Sequence, residues 1–126
     1  MKLALFFVAA LLTAPAMAQD CKNAMSQSEM NICADQDYQK ADKALNTAYS
    51  KLLTALDDAG FKAKLRATQR SWISYRDNEC IFETADNEGG SIHPMVYAGC
   101  LTRITKERTK AIEALTACQK NAETCG

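Results

Sequence analysis

The stretch MSQSEMNICADQDYQKADKALNTAYSKLLTALDD, residues 25–58, decides the fold. Its opening is a helix start: Ser26 is placed as N-cap, Glu29 three residues on can reach back in a capping box, and Met25 and Met30 stand at the two positions of a hydrophobic staple. Beyond it Tyr38, Ala41, Leu45, Ala48 or Tyr49, Leu52 and Leu56 recur at three- and four-residue steps among Lys, Asp, Gln and Asn. One apolar stripe on that period belongs to an amphipathic helix and not to a strand. The pattern predicts helix over about 27–58, with Gly60 as the left-handed residue that stops it.

Two more helices follow by the same reading. Phe61, Leu65, Thr68 or Gln69, Trp72, Ile73, Arg76, Cys80 and Phe82 keep helical spacing until it fades at Asp86-Asn87-Glu88-Gly89-Gly90, predicting a helix over about 61–86. Ser91 can cap a third, over about 92–118, whose first turn tolerates Pro94 because the early amides of a helix have no partner. Tyr97, Leu101, Ile104, Arg108, Ile112 and Leu115 mark its buried face. Gly99 interrupts that helix at a cost of about 1 kcal/mol relative to Ala, which points to a close helix contact. Both connections are short, so neighbours should run antiparallel, giving an all-α fold of three long helices in an up-down-up bundle. There is no internal repeat and no low-complexity tract.

Outside this body, residues 1–18 read as a cleavable signal peptide: Lys2, an apolar run from Leu3 to Leu12, and Ala16-Met17-Ala18 as a small-x-small cleavage site. The run is about ten residues, short of the roughly 20 that span a bilayer. Gln19 and Asp20 separate Ala18 from Cys21, so a lipid anchor on that cysteine is not expected. The product, residues 19–126, should be one periplasmic or secreted domain with no membrane anchor. Of the chain's 15 Lys+Arg and 15 Asp+Glu, only Lys2 falls in the leader, leaving a formal charge of −1. That balance argues against nucleic acid, whose binding needs many phosphate contacts, and it does little to oppose self-association, so a monomer or weak dimer is expected.

All six cysteines, Cys21, Cys33, Cys80, Cys100, Cys118 and Cys125, lie in the exported part, and an even number in a small exported chain reads as a disulfide framework. At about 1.5 Å per helical residue, Cys33, Cys80 and Cys100 come to one pole of the bundle, within reach of Cys21. Cys118 and Cys125 come to the other, where they can only find each other. Cys118–Cys125 is therefore expected. Cys21–Cys33 with Cys80–Cys100 is preferred for the rest, and Cys33–Cys80 with Cys21–Cys100 remains open.

No residues are nominated as catalytic. A hydrolase or transferase needs a nucleophile, a base and an orienting group, or a metal with several ligands; the chain has one histidine, His93, and no Cys-x-x-Cys. No metal and no cofactor is expected, and the carboxylate pairs Asp35/Asp37 and Asp57/Asp58 read as solvated helix faces and ends. Trp72 and Arg76, four apart, can stack on one helix face. They read as structural, with Arg76 paired to Asp42, and Arg108 reads as a second partly buried guanidinium. The loop is the better candidate for partner binding: Asp86, Glu88, Gly89, Gly90, Ser91, Ile92 and His93 combine glycines, carboxylates, an apolar side chain and the single His.

Asp20-Cys21, Glu29-Met30-Asn31-x-Cys33-Ala34, Ala41-Asp42-x-x-Leu45-Asn46-x-x-Tyr49, Leu65-Arg66-x-x-Gln69-Arg70-x-Trp72-Ile73-x-Tyr75-Arg76-Asp77-x-x-Cys80, and Gly89-Gly90-Ser91-Ile92 with Cys100 and Arg108 form an ordered series. In that series the chain resembles the LprI-type lysozyme-inhibitor domain family of exported bacterial proteins. The resemblance implies a helical, disulfide-bonded envelope protein and, for the member that names the family, inhibition of lysozyme. Two departures are the missing lipid-attachment Cys and the Cys118 to Cys125 tail. The expectation is therefore a non-enzymatic protein that binds a protein partner, a basic lysozyme-type glycosidase, and inhibits it. Asp86 and Glu88 would steer the encounter, and Ser91 and His93 would donate to the catalytic carboxylates. The alternative is an envelope binding module without inhibitory activity, using a groove lined by Tyr38, Tyr49, Tyr75 and Tyr97.

Overall fold

A computed structural model of the chain describes residues 19–120. Three α-helices follow one another: α1 (Gln27–Ala55), α2 (Ala59–Glu83) and α3 (His93–Lys120), with one 3-10 turn at Ala85–Asn87 between the last two. No strand occurs among the described residues. The architecture is the three-helix bundle read from the apolar periods. The expected signal peptide lies outside the described residues. No described helix is long and apolar enough to cross a membrane.

α1 starts where its capping signals stand. Ser26 Oγ accepts from the Glu29 amide at 3.2 Å, and Glu29 Oε2 accepts from the Ser26 and Met25 amides at 2.9 Å each. Those two backbone bonds hold the Glu29 carboxyl below its ordinary pKa, Ser26 first and Met25 second. The hydrophobic staple does not form, because Met25 is 90% exposed. Gly60 does not stop the helix either. α1 ends at Ala55 on an extended Leu56, and Asp58 caps α2 by accepting from the Phe61 amide at 2.8 Å, so Gly60 already belongs to the first turn of α2. The side-chain cap of a new helix makes the break, and no left-handed residue is needed there.

The core has two kinds of wall. Ala41, Leu45, Ala48 and Leu52 of α1 meet Ala98, Leu101, Ile104, Thr105 and Ile112 of α3, all buried. Small residues on both sides let these two helices pack closely along most of their length. α2 makes far sparser contact with α3. It turns inward Gln69, Arg76 and Cys80, with Trp72 between the two halves of the core. Large polar groups hold the α2 backbone further off. As a result Phe61, Ile73 and Phe82, which the period places on a buried face, are exposed, and so is Leu115, which lies past Ile112 where the stripe of α1 ends. Gly99 marks no close contact: a side chain added there would meet open space.

Cys21–Cys33 and Cys80–Cys100 are both disulfides at the same pole, with Cα separations of 5.6 and 5.7 Å. Cys118 is disulfide-bonded too; Cys125, its expected partner, lies outside the described residues. Such bonds fit a chain matured in an oxidising compartment.

Candidate functional site

The loop between α2 and α3 is a braced corner. Thr84, buried, caps the end of α2: its amide bonds to the Cys80 carbonyl at 3.2 Å and its hydroxyl donates to the same oxygen at 2.7 Å. That hydroxyl has one proton, already spent. The His93 Nε2 at 3.3 Å from Thr84 Oγ1 must therefore carry the hydrogen and donate it. The imidazole also stacks on Tyr97, with 5.8 Å between ring centres. Between these braces the Asn87, Glu88 and Gly90 amides bond to the carbonyls of Thr84, Ala85 and Asn87. Gly89 takes φ +78, the left-handed region in which an L side chain is strained. From α1, Asn31 Nδ2 donates to the Ser91 carbonyl at 3.0 Å.

The seven loop residues singled out in the sequence thus divide. Asp86, Glu88, Gly89, Gly90, Ser91 and Ile92 are exposed, whereas His93 is half-buried against Thr84 and Tyr97. Ser91 does not cap α3, which begins at His93; its carbonyl, bonded to Asn31, ties the loop down instead. Thr84 and Asn31 do the bracing, and neither was nominated from the sequence. Thr84 had a signal in its spacing, four residues after Cys80 at the fading end of the period.

Beneath this pole a run of alternating rings and guanidinium groups crosses all three helices. Arg76 lies over the Tyr38 ring at 5.4 Å and the Trp72 ring at 5.2 Å, and Arg108 also approaches the Trp72 ring, at 5.8 Å. Arg76 is buried, with Asp77 at 2.9 Å, Asp42 at 3.5 Å and the Thr105 hydroxyl at 3.4 Å as its polar partners. Arg108 donates to Gln69 Oε1 at 3.1 Å, and burial lowers its pKa. Burial raises the Tyr38 phenol, with Arg76 working against it. Through these contacts the two guanidinium groups tie α2 to α1 and α3.

A groove of about 310 Å³ opens between α2 and α3 beside Trp72 and Tyr75. The four tyrosines are spread over three places: Tyr49 packs on the Leu45 cluster, Tyr38 and Tyr97 on the Cys80 cluster, and Tyr75 borders the α2–α3 groove. Arg103 borders the α2–α3 groove, where Glu83 bonds it at 2.6 Å and raises its pKa. No group of three His, Cys, Asp or Glu side chains that could hold a metal occurs among the described residues.

These features define a class: a small disulfide-clamped helical domain that presents shaped surface at one pole. The chain belongs to the LprI lysozyme inhibitor family, whose pattern it matches over residues 18–112. It is 40% identical over 125 residues to an uncharacterised protein of Rhizobium meliloti (strain 1021), covering 86% of this chain and 90% of that one. The crystal structure of a DUF1311 family protein from Pseudomonas putida KT2440 superposes with a TM-score of 0.68 at 25% identity, over 74% of this chain and 95% of the other.

Proposed function

We propose that this chain is an exported lysozyme inhibitor that acts by binding, with the α2–α3 corner as the element entering the enzyme's cleft. Membership of the family supports the partner, since a non-catalytic inhibitor class acts through protein–protein contact. The observation that carries the site is the bracing of the corner. Thr84 with His93, Asn31 with Ser91 and the nearby Cys80–Cys100 bond brace an exposed segment. A loop already ordered before binding loses little freedom when it docks.

The chemistry suits a glycosidase cleft. Asp86 and Glu88 present negative charge toward a cationic enzyme and raise the encounter rate. Ile92 supplies apolar contact. His93, engaged with Thr84, holds the corner in shape and leaves donation to the catalytic carboxylates to the exposed Ser91 hydroxyl and backbone amides.

The test is a lysozyme activity titration at low and high salt. Stoichiometric loss of activity that weakens with salt is expected. Ile92→Ala, at an exposed position that leaves the fold alone, should weaken inhibition about tenfold, about 1.4 kcal/mol. Full lysozyme activity in the presence of excess protein would leave the alternative, an envelope module that binds some other protein. Unchanged inhibition by Ile92→Ala would move the site off the corner.

A further inference from the structure

We propose that the groove between α2 and α3 is a receptor site for one arginine side chain of the protein partner, laid on the Tyr75 ring and bonded to Glu79. The groove measures about 310 Å³, at the small end of ligand pockets, so it admits a single side chain and not a helix or strand. One wall carries Trp72, Tyr75, Glu79 and Glu83 of α2, whose three- and four-residue steps put them on one face. The other wall carries Arg103, Glu107 and Arg108 of α3.

Most of these groups already have partners. Glu83 accepts from Arg103 through both carboxylate oxygens, at 2.6 and 2.7 Å, and Glu107 lies 3.7 Å from the same guanidinium. Arg108 is engaged with Gln69 and the Trp72 ring, and Trp72 also carries Arg76. Glu79 and Tyr75 are left over. Glu79 is half-buried, and among the described residues it feels Arg103 only at a distance, with no hydrogen bond or ion pair of its own. Tyr75 is 55% exposed, and no cation among the described residues lies over its ring. A carboxylate partly withdrawn from water without a partner is a standing cost that an incoming cation removes. With Glu79, Glu83 and Glu107 set against Arg103 and Arg108, the groove carries one surplus negative charge, which a single monovalent cation neutralises.

The fold shows how it holds a guanidinium elsewhere: Arg76 lies over the Tyr38 and Trp72 rings with the Asp77 carboxylate at 2.9 Å. Tyr75 and Glu79, four residues apart and side by side on α2, offer the same pairing of ring and carboxylate to a group from outside. A guanidinium is flat enough to lie on a ring while its edge forks to a carboxylate, which an ammonium group does not match. The site therefore selects arginine over lysine. That the arginine comes from a cationic glycosidase rests on the inhibitory reading. Glu83 lines the groove and directly precedes Thr84, so groove and corner adjoin and can meet one partner together.

Two titrations separate the site from the source of its ligand. In the first, N-acetylarginine amide is added to the isotope-labelled chain with its disulfides intact, and N-acetylcitrulline amide, of the same shape without the charge, is the control. The arginine compound should shift the amide signals of Tyr75, Glu79 and Glu107 with a dissociation constant of about 10 mM, and citrulline should leave them in place. Glu79→Gln and Tyr75→Leu should each weaken this binding about fivefold, whereas Tyr75→Phe, which keeps the ring, should bind as wild type. Signals in the groove that stay still at about 100 mM arginine compound, or move equally with citrulline, would overturn the site. In the second titration, Glu79→Gln should raise the concentration needed for half-inhibition of lysozyme about tenfold. Inhibition unchanged in that variant would overturn the groove as part of the enzyme contact. A wild-type chain that binds the arginine compound but leaves lysozyme active would support the site and remove the inhibitory reading alone.

Discussion

The α1–α3 seam and the attachment of α2 solve the same packing problem with opposite materials. Along the seam, alanines at 41, 48 and 98 leave room for Leu45, Leu52, Leu101 and Ile112 to interdigitate, and nearly every group is apolar and buried. α2 is fastened by a disulfide, an indole and two guanidinium groups, and leaves Phe61, Tyr75 and Phe82 exposed. The first kind of contact draws its energy from area removed from water. The second depends on a few specific partners. The seam should behave as the stable body of the domain, and α2 with its corner as an appended element held by discrete ties.

Truncation in the seam should have the largest effect. Leu45→Ala removes a side chain that is 1% exposed and should cost about 2–5 kcal/mol in chemical denaturation. A loss well under 2 kcal/mol would show that the seam is not the main store of stability. Arg76→Ala comes next, at about 2 kcal/mol: it strips the stacking partner from Tyr38 and Trp72 and the donor from Thr105. Asp42 and Asp77 are each partly exposed, so they keep solvent and the penalty stays below that of a fully buried pair. Denaturation with Leu45→Ala costing less than Arg76→Ala would reverse the comparison.

The smallest effect is one of pH. Glu29 caps α1 as a carboxylate with its pKa lowered by the Ser26 and Met25 amides, so the folded state favours the ionised form. The stability this adds is present above the unfolded value of 4.5 and is lost as pH falls through the lower folded value. Glu29→Gln keeps an acceptor without the charge. Thermal melts of the two proteins should differ at neutral pH and converge under acid; a constant difference across the range would remove Glu29 as the cause.

Much of this molecule could be read from its chain. Residues 25–58 announced one amphipathic helix with its cap, and the later apolar periods announced two more, because burial of a stripe imposes a 3.6-residue repeat whatever the stripe packs on. The repeat does not say how completely a neighbour covers it. Phe61, Ile73 and Phe82 kept the period and yet face solvent, since α2 is held off by Trp72 and Arg76. Helix ends were legible where a cap is local, as at Ser26, and misread where two signals competed, as at Asp58 and Gly60. The corner was legible by composition. The inward turn of His93 was not, because it depends on Thr84, whose hydroxyl finds the Cys80 carbonyl only after α2 has formed.

The most direct measurement is residue-resolved hydrogen exchange of this chain, free and saturated with lysozyme. Added protection concentrated at the amides of residues 86–92, with α1 and the outer face of α2 unchanged, is the predicted result. Protection that appears elsewhere and spares the corner, or none at all at saturating enzyme, would contradict the account.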